Sequence, residues 1–304
     1  MSGLENYKKL TKLGEGTYGV VYKAIDNRDQ SFVAIKEMRY DLDEEGLSSS
    51  SLREVSIIRD LKHANIIAFR EAIFTERSIA LVLDYVEYDL RKLLTRCKRD
   101  FEPNFIKSIA FQLLAGLYYM HTHRVIHRDL KPENIMINKN GQLMICDFGL
   151  SRYFTIPLKQ MTDGLITIWY RPPEILLHNP TYDVSVDIWS TACIIAEISR
   201  KRPLFMGDSD LDMIQKIIQT LGTPSQETMS QFHDVENGLF APPEYTSQNL
   251  KEVLNSDDSY FVDLISKMLV IDPHKRISAK EALQHEYFSQ IPQQLWDMCF
   301  PNGF

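Results

Sequence analysis

Between Tyr7 and Leu83 the apolar positions fall in short runs rich in β-branched and aromatic residues, each closed by turn formers. Tyr7–Leu13, Val20–Ile25, Phe32–Glu37, Phe69–Thr75 and Ser78–Leu83 are predicted as five antiparallel strands. One stretch, Ser49–Leu61, breaks this alternation: Leu52, Val55, Ile58 and Leu61 recur at helical spacing and predict a single helix with those side chains inward. After Asp89 the period changes to that of amphipathic helices. Asn104–His123 carries Phe105, Ile109, Leu113, Leu117 and Met120 on one face, as a core stripe does. Further helices are predicted over Ser185–Ser199, Asp210–Leu221, Ser259–Met268 and Ser278–Gln284. The expected class is α+β: a β-rich lobe over 1–83, a connector over 84–88 too short to be a free linker, and a helical lobe over 89–292. The tail, 293–304, carries Trp296, Phe300 and Phe304 and is apolar enough to dock on a lobe or on a partner.

A chain of 304 residues can bury a substantial core. Its formal charge of −7 argues against a nucleic-acid-binding domain. No apolar run is long enough to cross a bilayer, and Met1-Ser2-Gly3 has neither a signal-peptide pattern nor a glycine at position two. Cys97, Cys146, Cys193 and Cys299 lie far apart without metal-ligand spacing, as reduced thiols of an intracellular protein do. The expectation is a cytoplasmic or nuclear protein that binds no membrane.

The chemistry is concentrated in two short motifs. Phosphoryl transfer needs a carboxylate to orient the attacking hydroxyl, and oxygen ligands that hold metal and nucleotide while charge shifts. HRDLKPEN at 127–134 and DFG at 147–149 contain such a set. Asp129 is read as the group that orients the hydroxyl and accepts its proton, and Lys131 as a counter-charge to the moving phosphoryl. Asn134 and Asp147 are read as Mg²⁺ ligands, since this hard cation takes oxygen. His127 reads as a packed core residue stacked on Phe148, and Asp187 in DIWS as the holder of the HRD turn. Either tripeptide alone is as readily a turn with a solvated charge; the upstream elements shift that balance.

GEGTYGVV at 14–21 lies between two predicted strands rather than opening a helix, which counts against a dinucleotide site. There Gly14, Gly16 and Gly19 let the backbone approach phosphates without a side-chain clash. In VAIK at 33–36, Lys36 sits among apolar neighbours, where an unpaired ammonium is costly. Either it points to water or it meets phosphates and a carboxylate, with Glu54 in SLREVS the candidate. That pair forms only if the helix packs inward, so it has the character of a switch.

With these residues in hand, the chain resembles the eukaryotic protein kinases from about Tyr7 to Phe288, the likeness including Pro172-Pro173-Glu174, DIWS and Arg276. The resemblance implies a bilobal protein kinase fold: a small five-stranded antiparallel sheet plus one helix, and a larger mainly helical lobe. It implies ATP and Mg²⁺, transfer of the γ-phosphate to a protein hydroxyl, an activation segment over 147–174, and a Glu174–Arg276 ion pair. It also implies that Val21, Ala34 and Met136 sandwich the adenine and that Leu83 borders the back pocket. Asp84 and Val86 would offer backbone groups to the base, and Asp89 a carboxylate to the ribose.

Within the kinases, GEGTYGVVYKA, SSSSLREVSIIRDLKHANII, DFGLSR, WYRPPEILL and GDSDLDMIQKIIQTLGTP are similar to the cyclin-dependent kinases. SSSSLRE keeps Arg53 and Glu54 of the helix that meets a cyclin, but lacks the family's Pro and Ala-Ile. The resemblance implies a cyclin partner and an upstream activating kinase acting on Thr162, whose phosphate Arg53, Arg128 and Arg152 would cradle. Thr17 and Tyr18 match an inhibitory phosphorylation pair. Thr167 would bond near Asp129, and Leu165–Arg171 implies Ser/Thr-Pro substrates with a basic residue beyond the proline. The free chain is expected to hold Glu54 away from Lys36, given the Ser-rich start of the helix. Cys146, just before DFG, is a small hydrophobe or a target for ATP-site electrophiles. Two other readings stay open: a cyclin-independent relative, and a silent scaffold, against which Lys36, Asp129, Asn134 and Asp147 all count.

Overall fold

The alternating runs of the first part of the chain pair as one twisted antiparallel sheet, followed by helices. A computed structural model describes residues 3–16, 19–39, 49–75, 78–153 and 168–304, apart from the side chains at 39 and 49–53. Thr17, Tyr18, Thr162 and Thr167 therefore lie outside the described residues, as do the side chains of Arg53 and Leu52. The sheet comprises β1 (Tyr7–Gly16), β2 (Gly19–Asp26), β3 (Phe32–Arg39), β4 (Phe69–Phe74) and β5 (Ser78–Asp84), in the order β1-β2-β3-β5-β4. The helix α1 (Ser49–Asp60) lies between β3 and β4 in the chain.

Period two decides what each sheet face does. Val33 and Ile35 of β3 pack with Ala24, Ile73, Ala80 and Val82 in one fully apolar layer. The opposite face carries Ala34, Lys36 and Met38, facing Leu83, Leu81 and Ile79 of β5 in register. Met38, Ile79 and Leu81 are covered, with Val55 of α1 against them, while Ala34 and Leu83 stay half-buried. One face thus serves as helix bed at one end and cleft wall at the other. Gly19 opens β2 at φ +146, where a Cβ would stand 2.0 Å from the Glu37 carbonyl oxygen, so only glycine lets the strands meet there.

Of the expected seam of Leu52, Val55, Ile58 and Leu61, the last two are buried as expected, and Leu52 lies outside the described side chains. Glu54, Ile57, Ile58 and Leu61 are buried and Val55 is half-buried, because the helix turns Glu54 towards β3.

The rest is mainly helical: α2 (Leu90–Arg96), α3 (Pro103–Thr122), α4 (Pro173–Leu176), α5 (Ser185–Arg200), α6 (Asp210–Leu221), α7 (Gln226–Met229), α8 (His233–Glu236), α9 (Leu250–Leu254), α10 (Ser259–Met268), α11 (Ala279–Leu283) and α12 (Gln293–Cys299). Side-chain caps set several of their starts. Asp89 accepts from Lys92 N, Ser209 from Asp212 N and Asp258 from Tyr260 N and Phe261 N, while Ser278 and Glu281 form a capping box. The chain therefore has the bilobal α+β architecture expected of it. Among the described residues no helix is long and apolar enough to cross a membrane.

Five short strands, two or three residues each, had no sequence signature. β6 (Tyr88–Asp89), β8 (Ile135–Ile137) and β9 (Leu143–Ile145) form one ribbon; β7 (Val125–Ile126) and β10 (Arg152–Tyr153) form another. They bracket HRDLKPEN and DFG. Behind β9, α3 comes so close at Gly116 that a Cβ there would lie 2.9 Å from Ile145 Cδ1 and 3.1 Å from the Asn65 carbonyl oxygen.

Two long-range ties close the helical part. Arg276 forms a bidentate pair with Glu174, at 2.8 and 3.1 Å, and also donates to the carbonyls of Ser185 and Val270. The side chains of the pair are 0% and 1% exposed. The tail docks on α3: Trp296 meets Phe111 edge-on at 4.6 Å between centroids, and Phe304 lies 4.9 Å from Tyr118.

Candidate active site

The HRD turn is built on a buried carboxylate. Asp187, near the start of α5, is fully buried and accepts from the backbone N–H of His127 and of Arg128, both at 2.9 Å. Burial alone would raise this carboxyl, but donation from His121 Nε2 at 3.1 Å holds it below the usual carboxylate range. The anchor matters because Arg128 sits at φ 71, a left-handed conformation that non-glycine residues rarely adopt. Asp147 is held likewise, at φ 65. Conformations of this sort cost on the order of 1–3 kcal/mol each and persist where surrounding bonds enforce them.

His127 links the two strained turns. Its Nε2 donates to the Cys146 carbonyl at 3.0 Å, Nδ1 accepts from Asp129 N at 3.3 Å, and the ring lies 5.3 Å from Phe148. With both nitrogens bonded to backbone and the residue 0% exposed, it is a structural link and not a base.

Asp129 turns its carboxylate towards two donors. Oδ2 accepts from Lys131 Nζ at 2.8 Å and from Asn134 Nδ2 at 3.1 Å, and Asn134 Nδ2 also donates to the Asp129 carbonyl at 2.8 Å. With its amide nitrogen committed, Asn134 has its side-chain oxygen left as a ligand atom. Asp147, 41% exposed at the side chain, supplies further oxygens. Among the described residues no three His, Cys, Asp or Glu converge as a closed metal cage. Two oxygen donors suit Mg²⁺, which keeps waters and phosphates in its shell.

Opposite this turn, Lys36 Nζ donates to Glu54 Oε1 and to Asp147 Oδ1, each at 2.7 Å. Glu54 thus stands against Lys36 in this structure, not away from it as expected. An ammonium only 12% exposed demands anions, and the packing of Val55 on Met38, Ile79 and Leu81 brings α1 within reach. Burial works against the Lys36 cation, but the Asp147 and Glu54 carboxylates outweigh it and raise the group. Burial likewise disfavours the Asp147 anion, yet Lys36 holds its carboxyl below the ordinary range. For Glu54 burial prevails over Lys36 and the carboxyl is raised. The direct Lys36–Asp147 contact had not been anticipated, because Lys36 was assigned only phosphates and Glu54.

Of the residues assigned to a base-binding wall, Val21, Ala34 and Leu83 share one face of the five-stranded sheet, while Met136 comes from the β6-β8-β9 ribbon. Ala34 pairs with Leu83, Val21 with Lys36, and Met136 of β8 with Asp89 of β6. All four apolar side chains are half-buried, and Val86 is buried. Asp84 gives its N–H to the Ala68 carbonyl and its carboxylate to Arg70 Nε at 2.7 Å, so its side chain is tied to β4. The Asp89 carboxylate is committed to capping α2 and to Lys92 Nζ at 2.7 Å. Gly14 has open space where a Cβ would stand. In the arginine set, Arg128 donates from Nε to the Leu150 carbonyl at 2.5 Å and from Nη1 to Tyr182 Oη at 2.7 Å. Arg152 pairs across the ribbon with Ile126, two residues before Arg128.

Sequence reasoning missed one polar knot. Arg91 of α2 donates to Glu133 at 2.8 Å, to Glu197 at 2.5 Å and to Tyr170 Oη at 2.6 Å, and Tyr170 donates to Glu197 at 2.6 Å. It joins the helix after the connector to the HRDLKPEN stretch and to the segment before α4. No local spacing could have signalled it.

Cys146 is a poor target for electrophiles. Burial pushes its thiol well above the ordinary value, and Sγ donates to the Asn134 carbonyl at 3.3 Å. The thiolate is the reactive species, so a half-buried thiol held neutral and bonded to a backbone carbonyl reacts slowly. An acrylamide-type ATP-site electrophile at neutral pH is expected to leave Cys146 unmodified on the time scale that fully labels the unfolded chain. Peptide mass spectrometry reads this, and rapid labelling of the folded protein would contradict it.

A family model described as the protein kinase domain matches residues 7–288.

Proposed function

The chain belongs to the protein kinase domain family, and from the likeness of GEGTYGVVYKA, SSSSLRE and WYRPPEILL to the cyclin-dependent kinases we propose that it is a cyclin-dependent Ser/Thr kinase whose acceptors are hydroxyls followed by proline. The observation that carries the catalytic part is the Asp129 carboxylate, oriented by Lys131 and Asn134 and backed by the Asp187 anchor. In the proposed reaction the substrate hydroxyl donates to Asp129, which takes its proton as the hydroxyl oxygen bonds to the γ-phosphorus of ATP, while the bond from that phosphorus to the β,γ-bridging oxygen breaks and ADP leaves with the electron pair. Lys131 neutralises charge on the phosphoryl group in flight. Lys36 exchanges its contact with Asp147 for the nucleotide phosphates, with Glu54 keeping it oriented. Bound Mg²⁺ would supply charge neutralisation, held by the Asn134 side-chain oxygen and Asp147. Val21, Ala34, Leu83 and Met136 would frame the adenine, with backbone groups of Asp84 and Val86 on its edge. Asp89 would meet the ribose only while still capping α2.

The regulatory part of the proposal rests on sequence likeness. Thr162 would carry an activating phosphate cradled by Arg53, Arg128 and Arg152, and Thr17 and Tyr18 inhibitory ones. Thr167 would bond near Asp129. A second reading, a cyclin-independent enzyme of the same group, is favoured by the SSSSLRE stretch, which keeps Arg53 and Glu54 but lacks the Pro and Ala-Ile of the cyclin-contacting motif.

Transfer of labelled phosphate from ATP to a Ser-Pro-x-Lys peptide tests both. Transfer that appears only with co-purified partners and falls with Thr162→Ala supports the cyclin-dependent reading. Equal transfer by the lone, unphosphorylated chain supports the second reading. Equal transfer to a Ser-Ala-x-Lys peptide would overturn the proline requirement.

A further inference from the structure

We propose that residues 293–304 form an intramolecular clamp on the loop between α1 and β4, and that His63 is the positioning residue through which this clamp holds Glu54 and Asp147. The proposal rests on the kinase reading for its catalytic consequence, though not for its structural one.

The clamp starts from apolar docking. Phe300 faces Phe111, Tyr118 and Trp296 at 5.4–6.3 Å between centroids, and Phe304 lies 5.0 Å from Phe300. This seats Cys299, 1% exposed, with its polar atoms pointing at the loop. The Cys299 carbonyl accepts from His63 Nε2 at 2.8 Å, and Cys299 Sγ donates to Asn65 Oδ1 at 3.1 Å. His63 Nδ1 accepts from Asn65 N at 3.0 Å, and its ring stacks on Tyr119 at 4.8 Å. Both ring nitrogens are thus committed, one to the tail and one to the loop.

The loop passes the constraint in two directions. Asn65, fully buried, donates through Nδ2 to the Leu143 carbonyl at 2.9 Å and to Gln112 at 3.1 Å. Its own carbonyl accepts from Ile145 N at 2.9 Å, and the Ile145 carbonyl accepts from Ile67 N at 2.9 Å. Those bonds fix β9, which runs directly into Cys146 and Asp147. In the other direction, Leu61 N donates to the Ile57 carbonyl and ends the buried seam of α1 just before His63. One turn of chain is therefore bonded to the tail, to the strand before Asp147 and to the end of the helix bearing Glu54. Buried polar networks of this sort are held as a unit, and removing one member loosens the rest.

The experiment uses the full chain with His63→Ala and Phe300→Ala, and His63→Gln as the conservative variant that keeps a donor for the Cys299 carbonyl. Amide hydrogen exchange should speed up across Val55–Asp60 and across Leu143–Asp147 in both alanine variants, with His63→Gln partly restored. The kcat for peptide phosphorylation should fall about tenfold with peptide KM unchanged, the size of effect that coupling residues outside a site produce. If His63→Ala fails to fold, Phe304→Ala, at a side chain still 42% exposed, carries the same comparison. A Val235→Ala variant in α8 serves as the control for general loss of stability. Unchanged exchange in those two segments, or a change matched by the control, would overturn the clamp. Faster exchange in a chain whose unsubstituted form transfers no phosphate would uphold the clamp and sink the kinase reading instead.

Discussion

Asp129→Asn is expected to slow phosphoryl transfer by about 10²–10⁴-fold, the usual worth of a positioned general base, while nucleotide affinity stays unchanged. The substitution is nearly isosteric. Both bonds to the carboxylate, from Lys131 at 2.8 Å and Asn134 at 3.1 Å, end on one oxygen, and an amide oxygen can keep them. What is lost is the negative charge and the ability to take a proton from a hydroxyl. The buried parts of the turn, Asp187 and His127, are untouched, so the fold should not respond. Single-turnover transfer of labelled phosphate, paired with titration of a fluorescent nucleotide, separates the two quantities. Turnover within a factor of about two of the unsubstituted chain would remove Asp129 from the chemistry, since a lost base costs far more.

Arg276→Ala is expected to cost about 3–5 kcal/mol, the range for breaking a buried ion pair from one side. The reason is what it leaves behind: a Glu174 carboxylate 1% exposed with no counter-charge, and carbonyls of Ser185 and Val270 without that donor. Replacing both partners with apolar residues, Glu174→Leu with Arg276→Met, should recover most of the loss, because no lone charge then remains buried. Urea unfolding at constant m-value reads both variants. A loss below about 1 kcal/mol for Arg276→Ala would put the pair in the class of exposed salt bridges and contradict its burial.

What the sequence disclosed follows from how local each signal is. α6 and α10 have the ranges expected of them, Asp210–Leu221 and Ser259–Met268, because an apolar period and a side-chain cap agree there. HRDLKPEN and DFG are each contiguous, and the donors that orient Asp129, Lys131 and Asn134, lie within five residues of it. The state of Glu54 was not legible. Its Ser-rich surroundings suggested a helix held outward, whereas Lys36's demand for anions and the bed of Met38, Ile79 and Leu81 are long-range facts. The Arg91 knot was hidden for the same reason, its partners lying at Glu133, Tyr170 and Glu197. The short strands carry too few residues to show any period. The tail's aromatics announced that something would be covered, but which surface depended on Phe111 and Tyr118 being presented by α3.

For protein engineering, Gly116 is a trap. A glycine in the interior of a long helix is the usual first choice for replacement by alanine, since helix propensity alone promises about 1 kcal/mol of added stability. Here the missing methyl leaves room for the tip of the Ile145 side chain, with Cδ1 at 2.9 Å from its place, and for the backbone of the loop between α1 and β4, with the Asn65 carbonyl oxygen at 3.1 Å. A thermostabilising library that scored helices by propensity would rank this substitution highly. Its members would trade a small local gain for pressure on the Asn65 carbonyl, which accepts the Ile145 N–H and so helps to hold the strand leading to Asp147.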